Sequence, residues 1–112
     1  MNAASVDSED EWRGVARERS TGLEIVLLKR TYVLPYSQFL YAEGGDDEIR
    51  LVFATHDVVV AGRGLSSILT DLAEQRITRL NEPTRAERLN GFGAASIRQI
   101  RVEKADERQV VS

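Results

Sequence analysis

One stretch of this chain has the apolar spacing of an amphipathic helix, and strand-like segments precede and follow it. Apolar side chains recur at i, i+3, i+4, i+7 and i+8 from Leu65 to Ala73, which places them on one helical face. Residues rich in β-branched and aliphatic side chains predict strands at 23–34, 37–41, 49–53, 58–61, 77–80 and 97–102. This order predicts an α+β fold, an antiparallel meander or partly open barrel of about five strands with a helix at about 65–75.

The first twenty residues predict a second helix at about 9–20. Ser8 and Glu11 match a capping box, Trp12 follows as an apolar anchor, and Gly22 is a residue type that ends helices. We expect residues 1–7 to be disordered, residues 8–104 to form a single domain and residues 105–112 to be a tail.

Three local signals mark where strands break. Pro35 cannot donate to a strand ladder and predicts a break or a sheet edge, and the glycines and acids at 44–47 predict a turn. The apolar residues at 97–102 do not alternate strictly, which indicates a β-bulge in the last strand. A second capping box predicts a short helix at 84–90.

The composition excludes several classes of function. The 112 residues include no Cys, so disulfides, thiol catalysis and Cys-ligated metals are excluded. A single His leaves little for zinc or copper, and we predict no metal and no cofactor. Apolar runs of at most four residues are far short of the ~20 that cross a bilayer, and the start lacks a secretory pattern. We therefore expect a soluble, cytoplasmic protein without a membrane partner.

Charge is divided along the chain, whose formal net charge is −3. The segment 43–57 has five acids against one Arg, whereas the segment 83–104 has five cations against two acids. These segments could meet within the fold or between copies, and symmetric self-association is common among small proteins. We thus expect a homo-oligomer, or another protein partner, with the candidate interaction residues Arg50, Arg85, Arg88, Arg98, Arg101, Asp46 and Asp47.

The turn that opens the predicted helix is a candidate anion site. Free amides at a helix start attract anions, and an Arg and two hydroxyls stand beside them. The pattern lacks the third Gly of a dinucleotide fingerprint and the Lys of a P-loop, so a simple strand-to-helix connection is the alternative. The candidate residues are Gly62, Arg63, Gly64, Ser66 and Ser67.

Two further groups of residues have a chemical and a structural interpretation. His56 beside Asp57 could act as a general base, with Ser66 or Ser67 as nucleophile, but a polar hairpin tip also favours these residue types. The acids at 43–48 are the ligand type of calcium, yet their spacing is not that of an EF-hand, and a solvated hairpin tip is the alternative.

The order of three strands, a helix and two strands resembles that of the OB fold over roughly residues 23–103, and Sm-like barrels have a related order. This resemblance implies a binder of single-stranded nucleic acid. Phe39, Tyr41 and Phe53 could stack bases with Arg50 between them. The net charge of −3 disfavours a nucleic-acid partner, because phosphate binding needs a basic surface.

The sequence leaves three functions open. The leading hypothesis is a non-catalytic binding or interaction module that self-associates. The alternatives are an OB-like or Sm-like single-stranded nucleic-acid binder, and a phosphate-ligand binder or hydrolase that uses the turn from Gly62 to Ser67.

Overall fold

The protein is described by a computed structural model over residues 6–10, 12–86 and 96–105. These residues form strands, the α-helix at Ser66–Ala73 and a 3₁₀ turn at Tyr36–Gln38. The elements are β1 (Val6–Asp10), β2 (Arg13–Ala16), β3 (Gly22–Val26), β4 (Thr31–Pro35), β5 (Phe39–Gly44), β6 (Glu48–Phe53), β7 (His56–Arg63), α1 (Ser66–Ala73), β8 (Ile77–Asn81) and β9 (Ser96–Lys104). The α+β class and the helix near 65–75 are confirmed.

The strands are divided between two sheets, and the described residues do not close into a barrel. The five-stranded sheet has the order β1-β2-β8-β3-β4, and the four-stranded sheet has the order β5-β6-β7-β9. All neighbours are antiparallel except β3 and β8, which run parallel. The chain therefore leaves the four-stranded sheet after β7, adds β8 to the other sheet, and returns with β9.

Side chains from both sheets and the helix form one buried cluster. Alternation along each strand sends every second residue to this core, as with Leu23 and Ile25 of β3. From β6, Ile49, Leu51 and Phe53 enter the same cluster, and none of these five side chains is exposed. The faces that pack together are thus the faces that the sequence makes apolar.

The helix packs with part of its predicted apolar face. Leu65, Ile68 and Leu72 are buried, whereas Leu69 is half-buried and Ala73 is exposed.

The helix ends with a backbone motif that needs a left-handed residue. Gln75 has φ 58°, the N–H of Gln75 donates to Leu72 O at 2.9 Å, and the N–H of Arg76 donates to Asp71 O at 2.9 Å. This is the Schellman arrangement, which satisfies the last carbonyls of a helix.

The predicted N-terminal helix at 9–20 is wrong, because this segment forms the hairpin of β1 and β2. On its other side β2 pairs with β8, so half of its backbone partners are residues about sixty positions later in the chain. Gly14 lies in the middle of the segment and disfavours a helix by about 1 kcal/mol. In the sheet it fits closely, since a Cβ there would lie 2.7 Å from Thr78 Oγ1. Long-range pairing thus overrides a local capping signal.

Two other details differ from the sequence-based expectation. The single strand expected over 23–34 is a hairpin, with a turn in which Leu27 N–H donates to Arg30 O at 2.8 Å. The expected total of about five strands is too low, since the described residues place five strands in one sheet and four in the other. The turn at 27–30, between β3 and β4, contains no Gly, Pro, Asn or Asp, so no turn-forming residue marked it in the sequence.

Several local predictions are confirmed. Pro35 ends the edge strand β4, and the turn before β6 covers the expected residues. β9 has a bulge, because Ala61 pairs with Gln99 and Gly62 pairs with Ile97. β1 begins within the seven residues that we expected to be disordered. Most of the predicted helix at 84–90, and the tail after Ala105, lie outside the described residues.

Candidate functional site

The turn predicted to bind an anion is closed by a carboxylate of the protein itself. Gly64 N–H donates to Asp46 Oδ2 at 3.2 Å, and the Ser66 hydroxyl donates to Asp46 Oδ1 at 3.1 Å. Leu65 N–H donates to the Asp46 backbone carbonyl at 2.9 Å. Gly64 N–H and the Ser66 hydroxyl belong to the predicted anion site, so Asp46 competes with an external anion for these two donors.

The geometry of Gly44 positions Asp46. Gly44 has φ 142°, and a Cβ on it would lie 2.6 Å from the Cα of Ile49. Only glycine fits this position without strain. Gly45 N–H then donates to Glu48 O at 2.9 Å, which closes the turn and directs Asp46 toward the start of the helix.

A depression of about 230 Å³ lies beside this turn. It is lined by Asp47, Gly62, Arg63 and Arg98. Arg63 and Arg98 are exposed, and neither guanidinium has an ion pair or hydrogen bond within the described residues. The structure therefore brings together two residues of the predicted anion turn, Gly62 and Arg63, and two of the predicted interaction residues, Asp47 and Arg98.

Other predicted interaction residues pair with acids of the same chain on the outer face of the four-stranded sheet. Arg50 Nη1 lies 3.0 Å from Asp57 Oδ2 and 4.0 Å from Glu103 Oε1, and Arg101 Nε lies 2.9 Å from Glu103 Oε2. Asp57 is 2 % exposed, so its charge is largely withdrawn from solvent. The segments 43–57 and 83–104 thus meet within the fold through Arg50 and Glu103, while the other two pairs each lie within one segment. Arg85 is exposed, and Arg88 lies outside the described residues.

The residues considered for catalysis are not brought together. His56 and Asp57 are neighbours on β7, so their side chains point to opposite faces of the sheet. His56 Nδ1 lies 2.9 Å from Thr55 Oγ1, and its ring contacts the edge of Tyr32. β7 spans roughly 23 Å from His56 to its other end at ~3.3 Å per residue, and Ser66 comes only after that other end.

The aromatic residues considered for base stacking do not share a surface. Phe53 is in the core, and Phe39 packs against it with ring centroids 5.3 Å apart. Tyr36 also contacts Phe39, with ring centroids 5.9 Å apart. Only Tyr41 of the three candidates is largely exposed.

Asp71 of the helix, Arg13 of β2, Arg76 and Tyr36 form a cluster that joins the helix to the five-stranded sheet. No sequence pattern predicts this cluster. Asp71 Oδ2 lies 3.5 Å from Arg13 Nη1, and Asp71 Oδ1 lies 3.9 Å from Arg76 Nη1. Tyr36 lies nearby and its hydroxyl donates to Ile77 O at 2.7 Å. Burial of this phenol, and then the negative charge of Asp71, raise the pKa of Tyr36 above its ordinary value of 10.0.

Exposed apolar side chains are concentrated near the strand edges. Among the residues that the structure describes, the large hydrophobic ones with more than half of their surface exposed are Leu28 (55 %), Val33 (69 %), Leu40 (59 %) and Tyr41 (51 %). Val33 lies on β4, and Leu40 and Tyr41 lie on β5, which are both edge strands. These two strands follow each other in the chain, with the 3₁₀ turn between them.

Within the described part of the chain, no group of three or more His, Asp or Glu side chains could hold a metal ion. The same residues contain no helix long and apolar enough to cross a bilayer.

Comparison with protein-family models, with curated proteins and with solved structures finds no match for this chain.

Proposed function

We propose that this protein is a non-catalytic interaction module that self-associates through the edge strand β5. The observation that carries the proposal is the exposure of Leu40 and Tyr41 on an edge strand. An edge strand presents unpaired backbone groups, and exposed apolar side chains beside them add a surface that gains free energy when it is buried.

β5 is less protected than the other edges of the two sheets. β1 carries three acids in five residues, and β9 carries Arg98, Arg101, Glu103 and Lys104. Charged side chains and prolines are the usual means by which proteins block edge pairing. β4 has no charge but ends in Pro35. β5 has no Pro and a single charged residue, Glu43.

The charged segments give less support to pairing between copies than their sequence suggested. Arg50 and Arg101 already contact acids of their own chain, and the Asp46 carboxylate accepts two hydrogen bonds near the helix start. Exposed ion pairs also contribute at most about 1 kcal/mol each. An apolar strand edge is therefore the stronger driving surface.

A second copy of the chain is the occupant that fits this edge. Two identical strands can pair antiparallel about a two-fold axis, which makes the contact self-complementary and closed. β5 pairs regularly with β6 from Tyr41 to Gly44, so we expect the intermolecular ladder there. The register places Glu43 opposite Arg50 within each chain, which reduces repulsion between the two Glu43 side chains in a dimer.

Molar mass measured by light scattering at low and moderate salt tests this proposal. We expect a dimer at both salt concentrations, because burial of apolar surface is only weakly screened by salt. Leu40→Asp is expected to give a monomer. The matched control is Leu28→Asp, which places the same charge on a similarly exposed leucine in the β3–β4 turn and should leave the dimer intact.

A monomeric wild-type protein at both salt concentrations would overturn the proposal. A dimer that dissociates at moderate salt, or that survives Leu40→Asp, would contradict the assignment to β5. Circular dichroism of each variant establishes that the change in mass does not follow from unfolding.

A further inference from the structure

We infer that Arg63 and Arg98 form a binding site for the phosphate group of a small ligand. Both residues line the same depression of about 230 Å³, together with Gly62 and Asp47. Guanidinium groups offer forked N–H donors that match phosphate oxygens. This site lies away from the edge of β5, so it does not depend on self-association and each proposal can fail alone.

The bulge in β9 brings Arg98 to this position. Gln99 pairs with Ala61 and Ile97 pairs with Gly62, so Arg98 is the extra residue without a partner on β7. A bulge redirects a side chain from the regular alternation, and proteins use bulges for this purpose next to functional sites. Gly62 lies opposite the bulge and contributes no side chain to the depression.

The charge of the depression favours an anion. Arg63 and Arg98 have no ion pair within the described residues, whereas Arg50 and Arg101 on the same sheet are both paired. Two like charges that share one depression repel each other. A bound phosphate relieves this repulsion and supplies acceptors for both side chains.

The neighbouring acids define what kind of phosphate fits. Asp47 lines the depression, and Asp46 occupies the donors at the start of the helix. The local excess of positive charge is therefore small. A single phosphate or diphosphate group matches it, whereas a nucleic-acid strand needs a longer basic surface.

A titration with sodium pyrophosphate at low ionic strength, followed by ¹H–¹⁵N NMR, tests the site. Sodium chloride at equal ionic strength is the reference. We expect saturable shifts confined to the amides near Gly62, Arg63 and Arg98. Arg63→Gln and Arg98→Gln should each weaken the apparent affinity about tenfold, as expected when one charge-assisted contact is lost. Arg30→Gln is the matched control, because Arg30 is equally exposed but lies in the β3–β4 turn.

Three outcomes would overturn the inference. One is the absence of saturable shifts, and another is an equal loss of affinity in Arg30→Gln, which would indicate general attraction to the surface. The third is binding of a short single-stranded oligonucleotide at these arginines without binding of pyrophosphate, which would assign the arginines to a strand rather than a small ligand.

Discussion

The hydroxyl of Ser66 donates a 3.1 Å hydrogen bond to the carboxylate of Asp46, twenty residues earlier in the chain. Leu65 stands at the N-cap position of the helix and has no side-chain group that can cap it. Asp46 instead holds the residues on both sides of this N-cap from the turn between β5 and β6, since it also accepts from Gly64 N–H. The start of the helix is thereby fixed to the four-stranded sheet.

Asp46→Ala should lower the free energy of unfolding by about 1–2 kcal/mol, because Gly64 N–H and the Ser66 hydroxyl both lose a charged acceptor. Urea denaturation followed by circular dichroism measures this change. Asp47→Ala removes the same charge from the same turn, but the Asp47 contact with Gly62 uses its backbone carbonyl. We expect Asp47→Ala to cost less than ~0.5 kcal/mol, as for most exposed positions. Equal losses in both variants would contradict this role of the Asp46 carboxylate.

Leu72→Ala should destabilise the protein by about 2–5 kcal/mol, because it leaves a cavity in the core. Leu72 is 2 % exposed, whereas Leu69 packs against the core with only part of its side chain. Leu69→Ala should therefore cost about half as much or less. Chemical denaturation of both variants gives the comparison, and a larger loss for Leu69→Ala would show that the helix faces the core differently.

The raised pKa of Tyr36 makes the stability depend on alkaline pH. The unfolded chain loses the Tyr36 proton near the ordinary pKa of 10.0, while the folded protein keeps it. Above pH 10 the unfolded state therefore binds fewer protons, and stability falls as pH rises. Below pH 10 this group adds no pH dependence.

Tyr36→Phe removes the titrating group and tests this dependence. The free energy of unfolding of the wild type should fall more steeply between pH 10 and 11 than that of the variant. At neutral pH the variant should be less stable by about 1–3 kcal/mol, since the buried Ile77 carbonyl loses its Tyr36 donor. Parallel pH profiles would show that Tyr36 ionises alike in both states.

Gln75→Gly should stabilise the protein by about 0.5–1 kcal/mol. Gln75 has φ 58°, a left-handed conformation that costs a residue with a Cβ about 1–2 kcal/mol. Glycine avoids this strain but loses more backbone entropy on folding, so the net gain is smaller than the strain. Thermal and urea unfolding measure the change. Gln75→Ala keeps the Cβ and should show no such gain, so a similar gain in both variants would point to the glutamine side chain instead.

The sequence was informative where structure depends on nearby residues. The spacing of Leu65, Ile68 and Leu72 was sufficient to predict the helix, and the break in alternation near Arg98 was sufficient to predict the bulge. The first hairpin was missed because β2 is stabilised by β8, about sixty residues away. The division into two sheets was missed for the same reason.

The candidate site shows the same limit. The turn from Gly62 to Ser67 lies where the sequence placed it, between the end of β7 and the start of α1. Its occupation by Asp46 was not expected, because the two segments meet only through the pairing of β6 with β7. Likewise, the register of β7 and β9 places Arg98 near Arg63. The spacing of residues along the chain does not predict this register.

The parallel contact between β3 and β8 has a consequence for how the chain folds. Glu24 is in register with Arg79, so this pair must close a long loop before the five-stranded sheet is complete. Domains dominated by such distant contacts fold in about milliseconds to seconds, far more slowly than helical bundles. The hairpins of β5, β6 and β7 can form early, because these strands are consecutive in the chain. The pairing of β8 with β2 and β3 can form only after β8 itself has been synthesised. During synthesis, the first two-thirds of the chain would therefore leave the ribosome with β3 lacking one neighbour, exposed to other nascent chains until β8 arrives.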